Sequence, residues 1–152
     1  MAINWCYNEP WNTAAGNNLL EYPAVPRPSY YYVQKAMRPT LFSARVARFD
    51  WNGGEMFEAE LWFLNDSPQN VFGTVRVSAQ LGSKIFELGE WCAEAQSNTN
   101  RRGPTVRFVL PDLCGTNKLI LILDSDDGRE SYYEFLYRES KESIKGPRQL
   151  NM

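Results

Sequence analysis

Short stretches with a two-residue apolar rhythm, set off by turn residues, constrain the fold of this chain most. Phe57, Ala59, Leu61 and Phe63 alternate with Glu58, Glu60 and Trp62. That is the pattern of a strand with one face buried. Val75, Val77, Ala79 and Leu81 alternate with Thr74, Arg76, Ser78 and Gln80, and Val106, Phe108 and Leu110 follow the same rule. Leu119 to Leu123 is apolar without a break, as suits a central strand. Leu41–Phe49, Lys84–Trp91 and Ser131–Tyr137 bring the expected total to about seven strands. Asn52-Gly53-Gly54, Asn65-Asp66-Ser67-Pro68, Gly82-Ser83, Pro111-Asp112 and Asp126-Asp127-Gly128 supply the turns. Short strands at regular spacing predict an antiparallel sandwich, although period alone does not separate it from a small barrel.

The first 39 residues read differently. They are rich in Asn, Pro and aromatic residues and show little alternation. Pro28 suits a first helical position, because the N–H it lacks would be unbonded there. Val33, Ala36 and Met37 share a helical face, and Pro39 stops the helix. The expected division is therefore residues 1–39, a β-rich domain over 40–138, and a polar tail over 139–152.

Composition excludes several kinds of chemistry. The 152 residues are 43% hydrophobic, enough for one domain with a core. There is no histidine, which removes Ser-His-Asp and Cys-His catalysis and the usual zinc sites. The formal net charge of −2 offers no phosphate-tracking surface, so no nucleic-acid partner is expected. No apolar run approaches the roughly 18 residues of a membrane span, and no signal peptide is visible. Cys6, Cys92 and Cys114 are odd in number and lack CxxC spacing, which argues against a disulfide framework.

The N-terminal segment carries a family likeness. Trp5-Cys6-Tyr7-Asn8-Glu9-Pro10-Trp11 is followed by Thr13-Ala14-Ala15-Gly16-Asn17 and then by Arg27-Pro28-Ser29-Tyr30-Tyr31-Tyr32-Val33-Gln34-Lys35-Ala36-Met37-Arg38-Pro39. That order resembles the end of the catalytic barrel in glycoside hydrolase family 2, nearest its β-mannosidase-like members. Phe49-Asp50-Trp51 and Leu61-Trp62-Phe63-Leu64-Asn65-Asp66 add to the likeness. The resemblance implies a last barrel strand, loop and helix over residues 1–39, then an immunoglobulin-like antiparallel β-sandwich of about seven strands. It also implies a parent enzyme that hydrolyses O-glycosidic bonds with retention, in the periplasm or outside the cell. This chain would be its inactive accessory part, with carbohydrate reached through the parent and the barrel of the same polypeptide as partner.

Candidate site residues follow. Asn8-Glu9-Pro10 tempts as a catalytic motif, because retaining glycosidases use two carboxylates about 5 Å apart. No second carboxylate is identifiable here. A helix and sandwich follow at once, so Glu9 matches the strand-eight position and not the acid/base position. No catalytic residue is assigned, and no cofactor or metal is expected. In the intact parent, Trp5, Asn8 and Glu9 are the substrate-binding candidates, Trp5 by resemblance to a tryptophan that floors a sugar subsite. Trp51, Trp62 and Trp91 are candidates for sugar or interdomain contact, or for ordinary packing. An alternative follows from them: a stand-alone carbohydrate-binding module using exposed tryptophans. Asp124-Ser125-Asp126-Asp127-Gly128 has calcium-type oxygen ligands but lacks EF-hand spacing, which favours a hairpin turn. Asn65-Asp66-Ser67 fits a glycosylation sequon and equally a turn.

Overall fold

The computed structural model describes residues 6–12 and 16–140, and the chain divides into two compact units at Pro39/Thr40. In the first unit, β1 (Leu20–Glu21) pairs antiparallel with β2 (Val25–Pro26). Helix α1 (Pro28–Ala36) follows, with Pro28 in its first turn. The helix ends before Pro39, as the sequence indicates. None of its residues is fully buried, and Tyr31, Tyr32 and Met37 are exposed.

The second unit is a two-layer antiparallel-dominated sandwich, and its sheets do not close into a barrel. One sheet holds β3 (Thr40–Arg45), β5 (Met56–Asn65) and β8 (Thr99–Val109), in the order β3-β5-β8. The other holds β4 (Asp50–Asn52), β6 (Val71–Leu81), β7 (Lys84–Ala95), β9 (Lys118–Ser125) and β10 (Glu130–Arg138), in the order β4-β10-β9-β6-β7. The expected Leu41–Phe49 strand stops at Arg45. The chain then crosses to the other sheet, where the short β4 pairs parallel with β10. The sequence reading missed this because three residues carry too little alternation to show a period.

The alternating residues meet between the sheets. Phe42, Phe57, Ala59, Leu61 and Phe63 face Trp51, Val75, Val77, Ala79, Leu119, Leu121, Leu123, Phe135 and Tyr137. Aromatic contacts join the layers. Phe57 lies edge-on to Trp51 at 4.9 Å and to Phe135 at 5.7 Å. Phe42 stacks on Phe63 at 4.1 Å within its own sheet and meets Trp91 edge-on at 5.7 Å across the gap. Such pairs add about 0.5–1.5 kcal/mol each beyond the area they bury.

Two polar devices close the sandwich ends. The Tyr137 hydroxyl donates to the Pro111 carbonyl at 2.7 Å and accepts from the Leu113 N–H at 3.0 Å. Gly53 lies against it, where a Cβ would come within 2.9 Å of that hydroxyl. At the other end Asn65 is fully buried, with 0% exposure. Its Nδ2 donates to the carbonyls of Gln69 (2.7 Å) and Gln96 (2.8 Å), and its Oδ1 accepts from the Ser67 N–H (3.0 Å) and hydroxyl (2.7 Å). One side chain thus holds the turn after β5 and the link from β7 to β8. A buried amide committed to these bonds has no face left for a glycan, so Asn65-Asp66-Ser67 is turn chemistry. Beyond β10, the Ser140 N–H donates to Asp112 Oδ1 at 2.8 Å.

Replacing Asn65 by Ala strands two carbonyls and the Ser67 donors. The expected cost is about 2–4 kcal/mol in urea denaturation, against less than about 0.5 kcal/mol for Asp66→Ala on the exposed side of the same turn. Equal effects would show that Asn65 does not hold the turn.

Candidate functional site

The Asn8-Glu9 segment runs beside Leu19 and Leu20. The Tyr7 carbonyl accepts from the N–H groups of Leu19 (3.1 Å) and Leu20 (2.9 Å), and the Glu9 N–H donates to the Leu20 carbonyl (3.0 Å). This short ladder exposes Asn8 and turns Glu9 inward, where it is 4% exposed. Its carboxylate accepts from Arg27 Nη2 at 3.2 Å and, over a long 3.5 Å, from the Tyr22 N–H. Arg27 also pairs with Glu21 at 3.1 Å. Burial pushes the Glu9 pKa up. The hydrogen bonds from the Asn18 side chain and the Tyr22 backbone, with the Arg27 charge and hydrogen bond, outweigh it and hold the pKa below the ordinary glutamate value.

That environment decides what Glu9 can do. A general acid of a glycosidase needs a raised pKa so that it still carries its proton near neutrality. Glu9 is instead ionised and enclosed by donors, the state of a group that ties chain segments together. The motif thus holds a loop, β1 and the start of α1 through one ion pair. Arg27 was invisible in this role from sequence, because a pair separated by 18 positions leaves no periodic trace. Trp5 lies outside the described residues.

The first unit also carries an open apolar surface. A cavity of about 900 Å³ lies between α1 and the preceding loop, lined by Tyr7, Leu19, Tyr30, Val33, Ala36 and Met37 among others. Tyr7, Trp11, Tyr22, Val25, Tyr31, Tyr32 and Met37 are all exposed, from 52% to 73%. These seven side chains lie among the described residues of the first unit, where single exposed apolar residues are ordinary.

In the sandwich the three candidate tryptophans do not share a face. Trp51 is 5% exposed and packs in the core, with the Arg48 guanidinium 4.0 Å above its ring. Its burial removes it from any surface platform. Trp91 is half-buried at the seam, edge-on to Phe42 and lying against Gly103, where a Cβ would sit 2.5 Å from the indole. Only Trp62 lies on the outer side of its sheet. Its indole N–H donates to Glu60 Oε1 at 2.8 Å, and Glu60 also pairs with Arg102 and, at 3.9 Å, with Arg45.

The acidic loop spends its carboxylates on its own chain. Asp124 pairs with Arg76 at 2.9 Å, Asp126 accepts from the Thr74 N–H at 3.1 Å, and Asp127 accepts from Ser125 and the Arg129 N–H. Among the described residues no group of three or more His, Cys, Asp or Glu side chains is arranged to hold a metal. The three cysteines are free thiols.

No protein-family model matches the sequence, and no curated protein does. Solved structures resemble it at low identity. The β-D-mannosidase of Dictyoglomus thermophilum superposes with a TM-score of 0.57 and 17% identity, over 82% of this chain and 15% of that one. The β-glucosidase of Listeria innocua bound to gluconolactone gives a TM-score of 0.48 and 11% identity, over 65% of this chain and 16% of that one. The sporulation control protein Spo0M of Bacillus subtilis gives 0.44 and 10%, over 68% and 51%. The chain thus spans about a sixth of the length of the two glycosidases.

The Glu9 pKa lies below its unfolded value, so the stability it contributes is present above that unfolded value and is lost as pH falls through the folded one. The Tyr22 amide, which donates to Glu9, should report this titration by NMR with a midpoint below that of a free glutamate, and Arg27→Gln should move the midpoint upward. A midpoint unchanged in Arg27→Gln would remove the ion pair from the account.

Proposed function

We propose that this chain is the accessory, C-terminal β-sandwich region of a glycoside hydrolase resembling family 2, preceded by the end of its catalytic barrel. The observation that carries this reading is the likeness to the Dictyoglomus β-D-mannosidase. Residues 40–152 are about three-quarters of the chain, so an alignment over 82% of it also takes in part of the first unit. The order loop, helix, sandwich supports the same reading, as do the family-like stretches around Trp5–Trp11 and Arg27–Pro39. The exposed apolar surface of residues 6–39 suits a segment whose neighbours are the other strands and helices of a barrel.

Under this reading the sandwich braces a barrel supplied by the same longer polypeptide, in a periplasmic or secreted parent that cleaves O-glycosidic bonds in carbohydrates. Glu9 acts as an ion-paired strut. Trp5 and Asn8 are the residues of this segment that would reach sugar in the parent. The chain by itself performs no catalysis, because a retaining mechanism needs two carboxylates with opposed pKa tuning, and the motif supplies one ionised, buried carboxylate.

A second reading rests on Trp62, the one candidate tryptophan on an outer sheet face, flanked by Arg45 and Arg102. It makes the sandwich a carbohydrate-binding module. The two readings separate in solution. Assayed with 4-nitrophenyl β-mannoside, β-galactoside and β-glucuronide, the chain should give no turnover above buffer. Turnover that disappears in Glu9→Gln would overturn the accessory reading. Tryptophan fluorescence should stay flat on titration with mannan, galactan and xylan oligosaccharides, whereas saturable binding lost in Trp62→Ala would favour the binding module.

A further inference from the structure

The central strand β9 is apolar on both sides, but among the described residues only one side is fully buried. Leu119, Leu121 and Leu123 are buried against the other sheet. Ile120 and Ile122 point outward and are only half-buried. A central strand that is apolar on both faces is the composition of a sheet covered on both faces. The register sets out what surrounds the two isoleucines. One row across the sheet reads Glu87, Ser78, Ile122, Tyr132, and the next reads Ile85, Gln80, Ile120, Glu134. Ile85, Tyr132 and Leu136 are 60%, 41% and 58% exposed. The result is an apolar stripe on the outer face along β9 and β10, with Ile85 on β7 set off from it by Gln80 and Ser78 of β6.

Charge around the stripe is one-sided. Lys118 is closed onto Glu134 at 2.7 Å and Arg76 onto Asp124 at 2.9 Å, so neither cation is free for a partner. Glu87 and Glu90 on β7 are exposed and form no ion pair among the described residues. The stripe therefore has an unbalanced acidic flank.

We infer that this face docks an amphipathic α-helix that is apolar on its buried side and carries Lys or Arg along one flank. Size argues for a helix over a second copy of the chain. Even the whole face from β10 to β7, with polar Ser78 and Gln80 of β6 included, is three strand spacings by six residues, about 14 Å by about 20 Å, or about 300 Å². A stable dimer needs about 800 Å² from each partner. A helix about 10 Å wide covers the stripe in three to four turns. Layering a helix on a sheet is also a common way to bury such a face. The inference stands on the sandwich alone and does not depend on the glycosidase reading.

The test uses the full chain and a capped peptide of about 14 residues, with Leu at helical i, i+3, i+4 and i+7 spacing and Lys on one flank. A second peptide with Glu in place of Lys is the control. Fluorescence anisotropy gives affinity, and hydrogen exchange read by mass spectrometry gives location. The expected result is saturable binding of the Lys peptide with protection over residues 118–138, at least about tenfold tighter than the Glu peptide at low salt. Ile122→Lys should weaken it about tenfold or more. The double variant Glu87→Gln, Glu90→Gln, which leaves the apolar stripe intact, should weaken it about threefold or more at low salt. Circular dichroism confirms that each variant is folded. No binding, equal affinity for both peptides, or protection confined to the α1 cavity would overturn the inference. Self-association abolished by Ile122→Lys would overturn it too, by assigning the face to a second copy.

Discussion

The contact between the two sheets is what the rest of this structure depends on. Phe57 stands at its centre, reaching from the three-stranded sheet to Trp51 and Phe135 of the five-stranded sheet. Trp51 lies on the short β4 and Phe135 on β10, so the same contact that closes the core also explains the parallel β4–β10 pairing at that edge. Phe42 and Trp91 do the same job nearer the other end. With the layers held this way, the polar groups at the ends must be satisfied without water. Asn65 and Tyr137 meet that requirement by bonding loop carbonyls and N–H groups that would otherwise be stranded.

The first unit is organised on a different principle. It has little core, and its described residues are held by backbone hydrogen bonds and by Glu9 placed against Arg27. Breaking a buried pair by removing one partner costs more than the pair is worth in place, because it leaves an uncompensated charge. That makes Glu9 a good strut and a poor proton donor. Tyr7, Trp11, Tyr22, Tyr31 and Tyr32 of the same unit are exposed.

The motif that draws the eye in sequence and the residues that matter in space are therefore not the same. Asn-Glu between tryptophans suggested sugar chemistry, and its position before a helix and sandwich already argued against catalysis. The structure adds the physical reason, a donor-lined enclosure that keeps the carboxylate charged. Likewise the three tryptophans of the sandwich looked alike as residue types. Burial separates them into one core residue, one seam residue and one on an outer face. The acidic loop and the sequon were both legible as turns, since Asp, Asn and Ser stabilise turns through their own side chains.

The sequence by itself determined the alternation of the long strands and the helix start at Pro28, because these follow from local periodicity and backbone restriction, whereas the choice of an open sandwich over a small barrel was made only by the sheet pairing. It also indicated that β9 is apolar on both faces. Only the tertiary structure decided that β4 leaves one sheet for the other, that Asn65 is fully enclosed and that Glu9 pairs with Arg27. Only there does the outer face of β9 share a sheet with Glu87 and Glu90 of β7, two strands away, which form no ion pair among the described residues. Each of these depends on residues far apart in the chain meeting in space, and the energy of such a meeting leaves no mark on the local pattern.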